Sequence, residues 1–226
     1  MNLMGESMIR KQQMEQRTQQ ILHTALNLFC EKGIEDTSVD EIAKAAGVGP
    51  ATIYRYFETK AELAVSAGTV YWQMVAGKYT DVLSQKDYQE QSGLRQMEWI
   101  FHIYSEIFEK EFLFLKFIQE FDIFIQRYHI SKEHLENYEE QILNLRPYMT
   151  NALEKGLRDG SLIFSYTVDE IYFSITHTLL SLMQKLACSG HILSSDERVG
   201  LALQVEITGG LLLKGLSSEV SKVSPL

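Results

Sequence analysis

Residues 38–63 read SVDEIAKAAGVGPATIYRYFETKAEL, and the order of caps, apolar positions and glycines predicts two short helices joined by a tight turn. Ser38 followed by Glu41 has capping-box spacing, so a helix begins at Val39, buries Val39, Ile42, Ala43 and Ala46, and stops at Gly47. Gly47-Val48-Gly49 supplies the turn. Pro50 suits the first position of the next helix, where its missing N–H is not needed and its φ is already helical. Ile53 and Phe57, four apart, pack inward and leave Ala51, Thr52, Arg55 and Tyr56 free to meet a partner. Thr59 and Glu62 form a second capping box that opens a further helix at once. The layout is that of a helix-turn-helix.

The segment resembles the DNA-binding region of the TetR/AcrR family of bacterial transcriptional regulators. The resemblance is carried by Thr37-Ser38, Ile42-Ala43, Ala46-Gly47-Val48, Thr52-Ile53-Tyr54, Tyr56-Phe57, Lys60 and Leu63, with Ala25, Leu28, Phe29 and Gly33 in the helix before. It covers roughly residues 16–65, and Ala51 stands where many members have glycine. The resemblance implies a ligand-responsive regulator, a repressor that binds a pseudo-palindromic operator as a homodimer and is released by a small effector. The DNA contacts then fall to Thr37, Ser38, Lys44, Gly49, Pro50, Ala51, Thr52, Tyr54, Arg55, Tyr56 and Lys60. Arg55 can read guanine bidentately, and Thr52 can meet a thymine methyl or a phosphate. Thr37, Ser38 and Lys44 are phosphate contacts at and beside a helix N-terminus, and Lys60 is another. Tyr54 packs as readily as it touches phosphate, and Ser38 also serves as a cap alone.

With 226 residues and a mass of 26.0 kDa, the chain is long enough for a small reader and a larger body with its own core. The net charge of −9 looks wrong for a nucleic-acid binder until it is divided. Residues 1–60 hold seven Lys/Arg and eight Asp/Glu, a net −1, which leaves −8 on the rest. Arg10, Lys11, Arg17, Lys44, Arg55 and Lys60 can therefore form a local positive face, with binding that is salt-sensitive. No signal-peptide core precedes residue 14, charges interrupt the apolar stretches, and Cys30 and Cys188 stand alone; the expectation is a cytoplasmic protein away from any membrane.

The fold class expected is all-α, with about nine helices near 14–32, 39–46, 50–56, 60–84, 92–109, 111–129, 133–158, 168–189 and 195–215. Residues 1–60 form the three-helix DNA-binding domain, and 61–226 the effector-binding and dimerisation domain. Thr167/Glu170 and Ser194/Glu197 mark late helix starts, while Gly33, Gly160 and Gly190 sit where left-handed helix ends are wanted. Pro147 is expected to kink the seventh helix. The fourth helix links reader to body.

Ten of the 24 aromatic residues lie between Trp99 and Tyr128, more than one helical face requires. An aromatic stripe is usually core, yet as a group these rings can line an apolar pocket between helices. An apolar or amphipathic effector, with a cationic one also open, is expected against Trp99, Ile103, Phe117, Phe121, Met149, Phe173 and His177. The resemblance further places the dimer interface on the last two helices, for which Ile171, Ile175, Leu179, Leu182, Leu203, Ile207 and Leu211 are available. Gly209-Gly210 marks a close approach by a partner helix. The six histidines show no metal-ligand spacing, no nucleophile elbow or phosphate loop occurs, and neither an enzyme nor a cofactor or metal is expected. The alternative keeps the reader and makes the body a docking surface for another protein.

Overall fold

The structure, a computed structural model, describes residues 3–217 and contains only helices among them. In chain order these are α1 Leu3–Lys32, α2 Val39–Ala45, α3 Pro50–Tyr56, α4 Lys60–Leu83, α5 Lys86–Gln89, α6 Gly93–Lys110, α7 Phe112–Arg127, α8 Lys132–Leu143, α9 Arg146–Asp159, α10 Val168–Ser189 and α11 Leu201–Leu216. None is long and apolar enough to cross a membrane.

The first compact unit comprises residues 1–73 and 117–139. Its core forms where Ile21, Ala25 and Phe29 of α1, spaced four apart, meet Ile42, Ile53, Phe57 and Leu63, all at most 5% exposed. Beside them lies an aromatic cluster. Phe117 stacks on Phe121 at 5.8 Å and Phe121 meets Tyr138 at 4.7 Å, while the Trp72 indole donates to the Tyr138 hydroxyl at 2.9 Å. Gly68 on α4 gives the ring room there, since a Cβ would lie 3.1 Å from the Tyr138 ring.

The second unit comprises residues 74–116 and 140–226. Helix α6 packs on α9 and α11 around Met97, Ile100, Phe101, Met149 and Leu153, and α10 closes the core with Tyr172, Ile175 and Leu179. The α6–α9 crossing is set by backbone: a Cβ on Gly93 would stand 2.1 Å from the Gly156 nitrogen. Both units contain parts of α4, α7 and α8, so neither unit is a continuous stretch of chain and the units cut differently from the expected boundary at residue 60.

Several elements differ from the sequence reading. Helix α1 begins at Leu3, eleven residues before the expected start. The long seventh helix is two helices: Pro147 sits in the first turn of α9, where it starts a helix rather than kinking one. Ser194 and Glu197 do not open the last helix; a 3-10 turn, Asp196–Arg198, intervenes and α11 starts at Leu201. Gly33 and Gly160 are left-handed at φ 90° and 73°, but Gly190 is right-handed at φ −65°. It is small for another reason: a Cβ would meet the Leu186 carbonyl at 2.5 Å and Leu201 at 2.8 Å.

Candidate nucleic-acid interface

The α2–α3 turn follows from local rules. The Ser38 hydroxyl accepts the Glu41 N–H at 3.2 Å, and the Glu41 carboxylate accepts the Ser38 N–H at 2.9 Å, a complete capping box. Helix α2 ends at Ala45 with Ala46 as its cap, and Gly47 takes φ 67°, which lets the Val48 N–H reach the Ala43 carbonyl at 3.0 Å. Gly49 then caps α3 in extended conformation and Pro50 starts it. The Thr59 box is only half made: its hydroxyl accepts from Glu62 N–H at 3.1 Å, but the Glu62 carboxylate takes the Glu58 N–H instead.

Helix α3 is seven residues long and buries one side chain, Ile53, at 1% exposure, with Phe57 beyond its end. That single anchor turns Gly49, Pro50, Ala51, Tyr54 and Arg55 to solvent, with Thr52 and Tyr56 half-buried. Tyr54 is 52% exposed and so lies on the outer face rather than in the core. The Arg55 guanidinium rests 5.2 Å from the centre of the Tyr56 ring, which orients it. Ser38 and Lys44 are also exposed. Thr37 corrects the sequence reading: it is wholly buried, and its hydroxyl donates to the Gly33 carbonyl at 2.8 Å. Its side chain holds the α1–α2 corner and reaches no phosphate.

The Lys60 ammonium donates to the Glu35 carbonyl at 2.9 Å, and the Glu35 carboxylate accepts from Arg127 at 2.9 Å and from the Tyr128 hydroxyl at 2.8 Å. The Tyr128 hydrogen bond, with Arg127 beside it, holds that carboxyl below its ordinary range. Nothing in the sequence links Glu35 to residues 92 and 93 positions away; only the fold brings the α1–α2 loop to the end of α7. Glu41 is pushed down to about 2, first by its hydrogen bond to Lys32 at 2.7 Å and then by those to Ser38. Its depressed pKa contributes stability that is present above the ordinary carboxylate value and lost as pH falls toward 2. Acid unfolding followed by circular dichroism is expected to show that loss between about pH 4.5 and 2, and to show less of it in Glu41→Gln.

The expected effector residues are dispersed by burial. In the first unit, Phe117 and Phe121 are packed against each other and fully buried. In the second, Met149 is buried and Ile103 half-buried, whereas Trp99 stands 37% exposed with its ring 6.1 Å from Tyr88. Phe173 and His177 pair at 5.8 Å on the exposed side of α10, opposite the buried Tyr172, Ile175 and Leu179. Burial pushes the Cys30 thiol up to about 11, which leaves it unreactive near neutral pH.

Residues 21–67 match the model of the bacterial regulatory proteins, tetR family. The HTH-type transcriptional regulator AcrR of Shigella flexneri is 47% identical over 53 residues, about a quarter of each chain, so that likeness concerns a small part of either protein. The HTH-type transcriptional repressor KstR2 of Mycolicibacterium smegmatis is 24% identical over 201 residues, 86% of this chain and 90% of its own. Among solved structures, Thermus thermophilus FadR, a TetR-family repressor in complex with lauroyl-CoA, aligns with TM-score 0.59 at 18% identity, covering 92% of this chain and 99% of that one. At that identity the match speaks for the fold.

Proposed function

We propose, for a chain that belongs to the TetR/AcrR family of bacterial transcriptional regulators, that it is a cytoplasmic homodimeric repressor released from a pseudo-palindromic operator by an apolar or amphipathic effector. The observation that carries the DNA part is α3. Seven residues hang on one buried isoleucine, so almost the whole helix surface is presented outward, as a major-groove reader requires. Arg55 is the base reader, Tyr54, Thr52 and Lys44 are positioning contacts, and the capped N-terminus of α2 at Ser38 offers free N–H groups to phosphate. Replacing Arg55 with Ala is expected to cost about 1–3 kcal/mol and to relax preference at one base position per half-site. Lys60→Ala, which removes a charge held beside the head, weakens every sequence alike. Affinities across a panel of single-base operator variants separate the two patterns.

The dimer is supported by the outer face of α11. Leu203, Ile207 and Leu211 recur every four residues at 48%, 49% and 66% exposure, a stripe no soluble monomer gains from showing. Ile175 and Leu179, expected in the interface, are instead buried within the subunit. The two adjacent glycines serve opposite faces: Gly209 admits the Phe101 side chain, 3.6 Å from where a Cβ would be, and Gly210 has open space. Gly210 therefore lies in the exposed stripe, at the point where a partner helix comes nearest.

The effector reading is supported by the aromatic density of α6 and α7 and by the lauroyl-CoA held by the Thermus thermophilus relative in fold. Effector binding acts through α4, which runs unbroken for 24 residues from the end of the reader. A tenfold loss of operator affinity requires about 1.4 kcal/mol of differential binding, and operator and effector must weaken each other by the same factor. Trp72 and Trp99 are the only tryptophans, so fluorescence titration with lauroyl-CoA as first probe, with and without operator, measures both sides. An acyl-CoA affinity that operator leaves unchanged would sink the coupling.

A further inference from the structure

Helix α1 reaches well past the core that anchors it. Ile21, Leu22, Ala25, Leu26 and Phe29 are buried, but every side chain from residue 7 to 17 is exposed, Met8 at 69% and Met14 at 51%. A helix with no packed face is marginal in water, so this projecting half gains little from the core and leaves its side chains free to meet something else. Its residues say what. Arg10, Gln13, Met14, Arg17 and Gln20 recur at intervals of three and four and form one stripe. That stripe is one wall of an open groove of about 610 Å³ whose other wall is Arg55 and Tyr56 of α3. Gln20 fixes the stripe's angle to the reader by donating to the Ala46 carbonyl at 3.3 Å.

The groove carries three guanidinium groups and no carboxylate among its described lining residues. Arg10, Arg17 and Arg55 make no ion pair with any described residue, although nine such pairs occur elsewhere among the described residues. Arginines gathered in one concave surface with no ion-pair partner among the described residues favour an anionic occupant with planar, bidentate acceptors. Seven residues of helix separate Arg10 from Arg17 by about 10.5 Å along the helix axis, so the two guanidinium groups meet separate anionic groups rather than one.

We propose that this groove seats the DNA sugar–phosphate backbone flanking the bases that α3 reads, with Arg10 and Arg17 on phosphates and Met14 against the sugars between them. The inference rests on the DNA-binding reading and adds to it a second contact element, the projecting half of α1, which binds without sequence preference. Its continuity with Arg55 and Tyr56 selects duplex DNA over an acidic protein, because the same strand would pass from one wall to the other.

The test uses the full chain and an operator selected from a random pool. In Arg10→Ala/Arg17→Ala, the plot of log affinity against log salt is expected to flatten by about 0.9 per lost phosphate contact, roughly 3.6 for a dimer that loses four. Base preference stays unchanged, and hydroxyl-radical protection shortens only at the flanks of each half-site. Arg10→Lys/Arg17→Lys restores most of the slope. Gln13→Glu, which places a carboxylate in the groove, weakens all sequences alike. Since these side chains are exposed, circular dichroism of the variants is expected to match the parent. A parent that binds its operator while the double alanine variant keeps the parent's slope and footprint overturns this inference alone. A parent that binds no DNA overturns the reading beneath it as well.

Discussion

Leu203→Glu/Ile207→Glu is expected to sediment as a folded monomer and to bind operator about 10²–10⁴-fold more weakly than the parent, the avidity that two linked readers share. Both residues are about half exposed in the subunit, so the change leaves the fold of a single chain intact. It becomes costly only when the stripe is buried against its symmetry mate, where four carboxylates would lose water without gaining partners. Far-ultraviolet circular dichroism and sedimentation velocity on the same sample distinguish the outcomes. A variant that remains a dimer would place the interface away from α11.

The second large effect is expected at Gly93→Ala. The added Cβ would stand 2.1 Å from the Gly156 nitrogen, 2.3 Å from its Cα and 2.6 Å from the Ala152 carbonyl oxygen, all backbone atoms of α9 that no rotamer change can move. The α6–α9 crossing must open, at a cost of about 3 kcal/mol or more, which lowers the melting temperature by roughly 6–12 °C for a chain of this size. Gly77→Ala is the matching control. Its Cβ meets nothing within 4 Å in α4, so helix propensity alone acts and adds about 0.5–1 kcal/mol. Equal melting temperatures for Gly93→Ala and the parent would show that the two helices cross farther apart than their backbones indicate.

What could be read in the sequence was what is decided within a turn or two of helix. Ser38 and Glu41 cap each other, Gly47 takes the left-handed turn, and Ile53 and Phe57 go inward, because each depends on neighbours three or four residues away. Positions decided by distant chain were not legible. Thr37 has the type and place of a phosphate contact, but carbonyls of α1 and its end claim its hydroxyl. Phe117 and Phe121 share their aromatic character with Trp99 and Phe173, and periodicity cannot tell a ring stacked beneath Tyr138 from one left at the surface. Pro147 obeys one rule inside a helix and another at its start, and the break at Asn144-Leu145 that settles the choice itself holds neither glycine nor proline. The part of α1 before residue 14 lacks the apolar period by which buried helices are recognised, so its helical state and the groove it forms are not legible in the sequence.

The central claim, a two-fold symmetric dimer that reads DNA through α3, is tested most directly by selecting bound sequences from a random duplex pool with the full chain and sequencing what is retained. The expected result is enrichment of an inverted repeat whose half-sites lie about one helical turn, roughly 34–36 Å, apart or a multiple of it, and loss of that enrichment in Arg55→Ala. Enrichment of a single site without two-fold symmetry, or no enrichment above the starting pool, would contradict it.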